Sequence, residues 1–217
     1  MRKSVKKNIQ QPDFKIEKSC KGIVCGIDEV GRGPLAGPVV SAAVIFKPGA
    51  ERASILKHVN DSKKLSITTR QEICIELQDI AFIGIGSADV EEIEIHNIYH
   101  ATFIAMKRAY EALPAAGAPL PTHALVDGNR TPDLPCERRA IIKGDQLSYS
   151  IAAASIIAKE HRDTIMRTLA LKHPEYGWET NAGYGTPSHL AALRQYGATP
   201  HHRKLFKPVS EVLSIRY

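Results

Sequence analysis

Acidic residues follow apolar runs at three places in the sequence. Asp28 and Glu29 end the run over residues 23–27, Asp127 ends a second run, and Asp145 follows a third after Lys143 and Gly144. In open α/β sheets, ligands bind outside the carboxyl ends of the strands, so acids placed there can converge on one site. Clustered carboxylates repel one another unless cations neutralise them, and such hard oxygen ligands suit Mg²⁺ or Mn²⁺. The pattern therefore predicts a divalent-metal site.

A glycine-flanked arginine, Gly31-Arg32-Gly33, comes directly after the first pair of acids. Glycine lets the backbone come close to a ligand, so this loop predicts contact with a phosphate or a sugar. Side chains alternate along a strand, so Asp28 and Glu29 cannot both face one site if both lie in regular strand. We therefore expect the chain to have begun its turn at Glu29.

Each acid, taken alone, has an ordinary structural explanation. Asp145 could cap the helix that follows it, and Asp127-Gly128 could be a simple turn. Acids with shifted pKa values also serve structural roles. The recurrence of acids at three run ends, one of them beside the glycine-flanked arginine, favours the functional interpretation.

Hydrophobic periodicity predicts the elements that position these acids. Alternating and short apolar runs indicate strands over residues 22–28, 38–46, 82–87, 123–127 and 138–143. Helical spacing and capping residues indicate helices from Ser66, from a capping box at Asp89 with a second cap at Asn97, over 148–171, and a final helix over 186–197. This order predicts an α/β layered domain with a helical C-terminal third.

Composition bounds the class of protein. The 217 residues can bury a core, and most of the net charge of +6 lies in residues 1–21, which we expect to be a flexible basic tail. Without a membrane-length apolar run or a secretory signal, the sequence predicts a cytoplasmic protein with no membrane contact. The four cysteines form no C-x-x-C pair, which argues against a zinc site and favours reduced thiols.

Six motifs in order carry a resemblance to a known family. They are GIDEVGRGPLAGPVV at 26–40, DSKKLS at 61–66, LVDGN at 125–129, IIKGD at 141–145, SIIAKEHRD at 155–163 and NAGYGTPSHLAALRQYGATPHHRKLF at 181–206. Through them, nearly all of residues 22–208 resembles ribonuclease HII, the type 2 bacterial ribonuclease H. One departure is Ala182, where that family often has lysine, and its expected effect is on substrate affinity rather than on chemistry.

The resemblance implies an RNase H-like fold, with a central mixed β-sheet flanked by helices. It implies a tail over 1–21, a catalytic core over 22–171 and a helical C-terminal segment over 172–217. It also implies a metal-dependent endonuclease that cuts the RNA strand of RNA–DNA hybrids and cuts 5′ of single ribonucleotides in duplex DNA, leaving 3′-hydroxyl and 5′-phosphate ends. The catalytic acids, which would hold two Mg²⁺ or Mn²⁺ ions, are Asp28, Glu29, Asp127 and Asp145.

The resemblance further implies contacts to the substrate. The backbone of Gly31, Arg32 and Gly33 is expected to touch the 2′-hydroxyl, the group that distinguishes RNA from DNA locally. Tyr184 resembles the family tyrosine that packs on the neighbouring deoxyribose, although a partly buried turn aromatic would fit the flanking glycines equally well. The basic residues that could bind phosphate are Lys159, Arg162 and Lys63, and with weaker support Lys64, His202 and Arg203.

Two other functions are weighed against this one. A catalytically silent protein that binds RNA–DNA hybrids would keep the fold, but it would be free to lose the four acids, all of which are present. A metal-dependent phosphohydrolase for small nucleotides is the second, but the sequence has no P-loop pattern, and the Gly-Arg-Gly loop suits a polymer. The expected partner is nucleic acid, and the expected state is a monomer.

Overall fold

The computed structural model describes residues 11–59 and 65–215. Within these ranges, five strands form one mixed sheet in the order β3-β2-β1-β4-β5. The strands are β1 (Val24–Val30), β2 (Val39–Phe46), β3 (Ala81–Ala88), β4 (His123–Asp127) and β5 (Glu137–Ile141). Strand β1 is antiparallel to β2 and parallel to β4, and β5 is parallel to β4. The predicted α/β class with a mixed central sheet is confirmed.

Helices cover both faces of this sheet. The described helices are α1 (Lys15–Ser19), α2 (Ile67–Ile80), α3 (Val90–Glu111), α4 (Tyr149–Lys172), α5 (Trp178–Asn181), α6 (Pro187–Tyr196) and α7 (Lys207–Ile215). The alanine-rich half of α4 packs on one face, where Ala152 and Ile156 join Val44 in the core. Helix α3 packs on the opposite face, where Met106 contacts the cluster around Ile27.

The parallel strands bring two of the predicted acids side by side. Ile27 of β1 pairs with Val126 of β4, so the next residue on each strand, Asp28 and Asp127, are neighbours across the sheet. Asp127 in turn pairs with Ile141, the last residue of β5. The carboxyl ends of the three parallel strands β1, β4 and β5 therefore lie side by side at one end of the sheet.

Two strand boundaries differ from the prediction. Strand β1 continues through Val30, and Glu29 pairs with Ser41 of β2, so the expected turn at Glu29 is wrong because β2 keeps pairing with β1. Strand β5 ends at Ile141, and Asp145 lies beyond it in a short 3₁₀ turn over Gly144–Gln146.

The helix signals are mostly confirmed. Ser66 caps α2, and Asp89 with Glu92 forms the predicted capping box of α3. Asn97 interrupts α3 with φ 60°, and its Oδ1 accepts hydrogen bonds from the backbone N–H groups of the next turn, as a second cap should. Ser148 rather than Asp145 caps α4. The helix over 187–196 is not the final one, because α7 follows it.

Part of the predicted flexible tail is folded. Residues 1–10 lie outside the described residues, but α1 forms within the segment that follows them. The ring of Phe14 packs edge-on against Phe46 at 5.2 Å between centroids and against Tyr149 at 4.9 Å. The tail prediction is therefore wrong from residue 11 onward, because apolar contacts there outweigh the basic composition.

No helix in the described part of the chain is both long and apolar enough to cross a membrane.

Candidate active site

The four predicted acids line one cleft at the sheet edge. Asp28 and Glu29 come from β1, Asp127 from the end of β4, and Asp145 from the 3₁₀ turn after β5. The cleft has a volume of about 440 Å³, and Tyr184 also lines it. We call it the carboxylate cleft.

The two acids of β1 reach the cleft from opposite faces of the sheet. Asp28 lies on the α4 face, since a Cβ atom at Gly26, two residues earlier, would collide with the backbone of α4 at Ser150. Glu29 lies on the α3 face with Ile27, and it also lines a smaller hollow beside α3. Because both sit near the end of the strand, alternation does not separate them from a common cleft.

The cleft carries more negative charge than its own cations neutralise. Burial raises the pKa of Asp28 well above its ordinary value, and the charges of Glu29 and Asp127 raise it further. Burial also raises the pKa of Glu29, against the effect of Arg32, whose Nη1 lies 3.4 Å from Oε1 of Glu29. A bound cation would relieve this repulsion.

Backbone N–H groups orient two of the acids. The Glu29 N–H donates to Oδ1 of Asp28 at 2.7 Å, and the Gly144 N–H donates to Oδ1 of Asp127 at 2.6 Å. These charge-assisted bonds fix one oxygen of each carboxylate and leave the other for a further partner.

The oxygen donors of the cleft fit a divalent cation in type, although their present arrangement does not surround an ion. Within residues 11–59 and 65–215, no group of three or more His, Cys, Asp or Glu side chains is arranged to hold an ion as it stands. The cleft nevertheless offers four oxygen-donating acids with excess negative charge, and oxygen ligands of this kind are those that Mg²⁺ and Mn²⁺ prefer. The residues present are therefore compatible with a divalent-metal centre.

The loop over residues 31–37, which we call the glycine–arginine loop, borders the cleft. Gly31 has φ +94°, and a Cβ atom there would lie 2.2 Å from Nε of Arg162, so this glycine is required by packing beneath the loop. At Gly33 the nearest neighbour of such a Cβ is Cε1 of Tyr184, at 3.7 Å. Gly33, next to Tyr184, is thus the position where the backbone is open to a ligand.

Arg162 does not reach the cleft, and its predicted phosphate contact is wrong. Its side chain is fully buried, and its guanidinium donates to the carbonyl oxygens of Pro38, Ala182 and Ala36, each at 2.9 Å. Burial lowers its pKa to about 10, so it stays charged at neutral pH. It ties the glycine–arginine loop to the turn that carries Tyr184.

Arg203 holds the same loop from the C-terminal side. It is fully buried and donates to the carbonyl oxygens of Gly37, Arg32 and Gly31 at 2.5–3.0 Å. Burial lowers its pKa to about 9. Its predicted phosphate contact is also wrong, because backbone carbonyls already occupy its guanidinium.

His202 belongs to a buried network rather than to a phosphate site. The Thr199 N–H donates to Nδ1 of His202 at 3.0 Å, so Nε2 of His202 carries the hydrogen that points at Nε2 of His189, 3.1 Å away. Nδ1 of His189 donates to the Tyr184 carbonyl at 2.9 Å, and Trp178 donates to Nε2 of His189. Burial lowers the pKa of His202 to about 3. The network fixes the backbone at Tyr184, a residue that is 43% exposed and lies beside Gly33.

Lys159 does line the cleft, and it is held by a residue that the sequence did not single out. Its Nζ lies 2.7 Å from Oδ1 of Asp163, and the other oxygen of Asp163 accepts from Arg70 at 2.8 Å. Arg70 is 4% exposed and also bonds Glu160 at 2.9 Å. In the sequence, Arg70 lies three residues before the apolar Ile73 on the same face of α2, and this helical spacing could have identified Arg70 as a buried residue. Lys63 and Lys64 lie outside the described residues.

Comparison with known proteins agrees with this geometry. The family model described as Ribonuclease HII matches residues 25–209. Ribonuclease HII of Paramagnetospirillum magneticum is 55% identical over 202 residues, which are 93% of this chain and 98% of that protein. The Rhodospirillum rubrum enzyme of the same name is also 55% identical, over 94% of this chain and 92% of its own length.

A solved structure agrees as well. Ribonuclease H2 from Pyrococcus horikoshii OT3 aligns with a TM-score of 0.70 and 25% identity, over 89% of this chain and 98% of that one. The sheet and helices described above thus form the RNase H-like fold. The chain belongs to the ribonuclease HII family, which consists of metal-dependent endonucleases.

Proposed function

We propose that this protein hydrolyses the RNA strand of RNA–DNA hybrids and cuts 5′ of single ribonucleotides in duplex DNA, leaving 3′-hydroxyl and 5′-phosphate ends. The observation that supports this most is the position of Gly33 and Tyr184 at the carboxylate cleft. A backbone open to a sugar lies beside the acids that would act on the adjoining phosphate.

Asp28, Glu29, Asp127 and Asp145 are the proposed catalytic acids and metal ligands. Mg²⁺ or Mn²⁺, two ions during catalysis, would supply an activated water and neutralise charge at the reacting phosphate. The protein's part is to hold the acids in place. Asp28, 6% exposed, lies next to Glu29 on β1 and to Asp127 on β4, and so at the centre of this set of acids.

Recognition is proposed to depend on the neighbouring loop and ring. The backbone at Gly31–Gly33 would read the 2′-hydroxyl, which DNA lacks. The exposed ring of Tyr184 would pack on the deoxyribose at the junction, and Lys159 in the cleft and Arg32 beside Glu29 would meet phosphates. Lys63 stays a candidate for the same role.

The proposed setting is a cytoplasmic monomer whose partner is nucleic acid.

A cleavage assay on three matched duplexes tests the proposal. One is all DNA, one has a single ribonucleotide, and one is an RNA–DNA hybrid, each incubated with Mg²⁺ or Mn²⁺. We expect no cut in the first, one cut 5′ of the ribonucleotide in the second, and several in the third. No cleavage with either ion would overturn the proposal. Tight binding of the hybrid without cleavage would favour a silent binding protein. Hydrolysis only of free nucleotides, incubated separately under the same conditions, would favour a small-molecule phosphohydrolase.

Tyr184 has its own test in this assay. Tyr184→Ala should slow cutting at the single ribonucleotide about tenfold, a loss of about 1.4 kcal/mol of transition-state stabilisation, because the ring no longer packs on the deoxyribose. Binding should weaken less than cutting. Tyr184→Phe keeps the ring and is the matched control. Unchanged cutting by Tyr184→Ala would remove this residue from the proposed site.

A further inference from the structure

The segment over residues 11–20 contacts the chain directly after the turn that carries Asp145. Asp13 forms a parallel β-bridge with Ser148. Its N–H donates to the carbonyl of Leu147, and its own carbonyl accepts from the N–H of Tyr149, both at 3.3 Å. The bridge attaches the segment to the backbone between the 3₁₀ turn and α4.

Glu17 makes the stronger connection. Its Oε1 accepts hydrogen bonds from Oγ of Ser148 at 2.6 Å, from Oγ of Ser150 at 2.9 Å and from the Ser150 N–H at 3.0 Å. Both serines are at most 2% exposed. Oε2 of Glu17 is buried and has no hydrogen-bond partner within the described residues. A carboxylate in this place satisfies hydroxyl and N–H groups that water cannot reach.

Hydrogen bonds continue from Ser148 to a catalytic acid. The Ser148 N–H donates to the carbonyl of Gly144 at 2.8 Å, and the Gly144 N–H donates to Oδ1 of Asp127 at 2.6 Å. Asp145 lies within the loop that these bonds close. The turn has little freedom to move toward α4, because a Cβ atom at Gly144 would lie 2.5 Å from Cδ1 of Ile151.

We propose that Glu17 is a positioning residue for the catalytic turn. By holding Ser148, it fixes the loop from Gly144 to Ser148, and so both the place of Asp145 and the N–H group that orients Asp127. Part of the segment predicted to be a flexible basic tail thereby becomes part of the active-site support. The proposal rests on the proposed function only in that Asp127 and Asp145 are taken as catalytic.

Hydrogen exchange tests the support directly, without substrate or metal. Glu17→Ala should speed exchange of the amides over 144–148 about tenfold relative to wild type. Amides of β2 should be unchanged, which separates loosening of the turn from loss of global stability. Lys18→Ala, an exposed change on the same helix, is the matched control. Glu17→Gln keeps an acceptor oxygen, so its exchange rate over 144–148 should lie between those of Glu17→Ala and Lys18→Ala.

Kinetics then separate a positioning role from a merely stabilising one. At a temperature where circular dichroism shows every variant folded, Glu17→Ala should lower kcat on the hybrid about tenfold, within the range seen when supporting partners of ligands are lost. KM should stay within about twofold, since the substrate-contacting residues are untouched.

The outcomes are distinguishable from a failure of the proposed function. Unchanged exchange over 144–148 in Glu17→Ala would overturn the positioning role, and so would an unchanged kcat in the folded variant. If Glu17→Ala does not fold, Glu17→Gln carries the same two measurements. An inactive wild type would refute the proposed function, while the exchange experiment would still decide whether Glu17 holds the turn.

Discussion

The carboxylate cleft and the glycine–arginine loop lie side by side, but acids line the cleft whereas buried arginines hold the loop. The cleft gathers acids whose burial, together with their mutual repulsion, raises the pKa of Asp28 and Glu29. The loop over 31–37 is held by two buried guanidiniums, Arg162 and Arg203, which bond only to backbone carbonyls in the contacts described above. The cleft is thus poised to take up a cation, whereas the loop already contains the cations it needs.

Function costs stability at the cleft and not in the loop. Charges left unneutralised at the cleft destabilise the folded protein, because burial of an unpaired charge is unfavourable. In the loop, the carbonyls of Gly31, Arg32, Ala36 and Gly37 accept hydrogen bonds from guanidiniums, so removal of a guanidinium destabilises the fold by leaving carbonyls unpaired. Substitutions in the two regions should therefore change stability in opposite directions.

Asp28→Asn should have the largest effect on activity. We expect the rate of cleavage to fall more than about 100-fold, beyond what loss of a supporting partner costs. The free energy of unfolding should rise by about 1 kcal/mol, because a buried carboxylate is removed from three acidic neighbours. Urea unfolding and cleavage of the hybrid measure the two effects. Asp79→Asn, an exposed acid at the end of α2, is the control, and a less stable Asp28→Asn would contradict the comparison.

Arg203→Lys tests, by the same measurement of unfolding free energy, whether the loop depends on its buried guanidinium. An ammonium group cannot replace the guanidinium at three carbonyls, and each buried group left unpaired costs about 1–3 kcal/mol. Urea unfolding should therefore show a loss of about 3 kcal/mol. Arg194→Lys changes an exposed arginine of α6 and should be neutral. Equal stability of the two variants would mean that the loop does not depend on this guanidinium.

The histidine network beneath Tyr184 should make stability depend on pH. His202 has a pKa of about 3 in the folded protein against 6.5 for an unperturbed histidine, so below pH 6.5 the unfolded chain takes up a proton that the folded chain refuses. Its contribution is complete above pH 6.5 and is lost as the pH falls toward 3. The loss should approach about 1.4 kcal/mol per pH unit.

Urea unfolding between pH 7 and pH 5 measures this slope. His202→Gln should flatten it, whereas His100→Gln, at an exposed position of α3, should leave it unchanged. A wild-type slope that His202→Gln does not alter would exclude this histidine as the cause.

The smallest effect is expected at Ala182, which has φ 47° just before the turn of Tyr184. A left-handed alanine costs about 1 kcal/mol relative to glycine, so Ala182→Gly should raise stability by about that amount. Ala191→Gly in the middle of α6 should lower stability by a similar amount, because glycine is a poor helix former. Thermal unfolding of the two variants should therefore shift in opposite directions, and a shift in the same direction would show that Ala182 is not strained.

The cleft was largely predictable from the sequence, and the loop's support was not. Asp28, Asp127 and Asp145 follow apolar runs, and parallel pairing brings such positions together. Arg162 and Arg203 look like surface cations in the sequence, because only the packed fold shows which carbonyls surround them. The role of Glu17 could not be predicted for the same reason, because the serines that it bonds lie about 130 positions away along the chain.

We propose that the cleft performs the chemistry while the glycine–arginine loop and Tyr184 hold the substrate. The most direct test is a single-turnover time course of Asp28→Asn on a DNA duplex with one ribonucleotide, at protein concentrations that saturate binding by fluorescence anisotropy. We predict binding within about threefold of wild type and no cut 5′ of the ribonucleotide while wild type cuts to completion. Cutting at a rate near that of wild type would contradict the claim, and so would loss of binding.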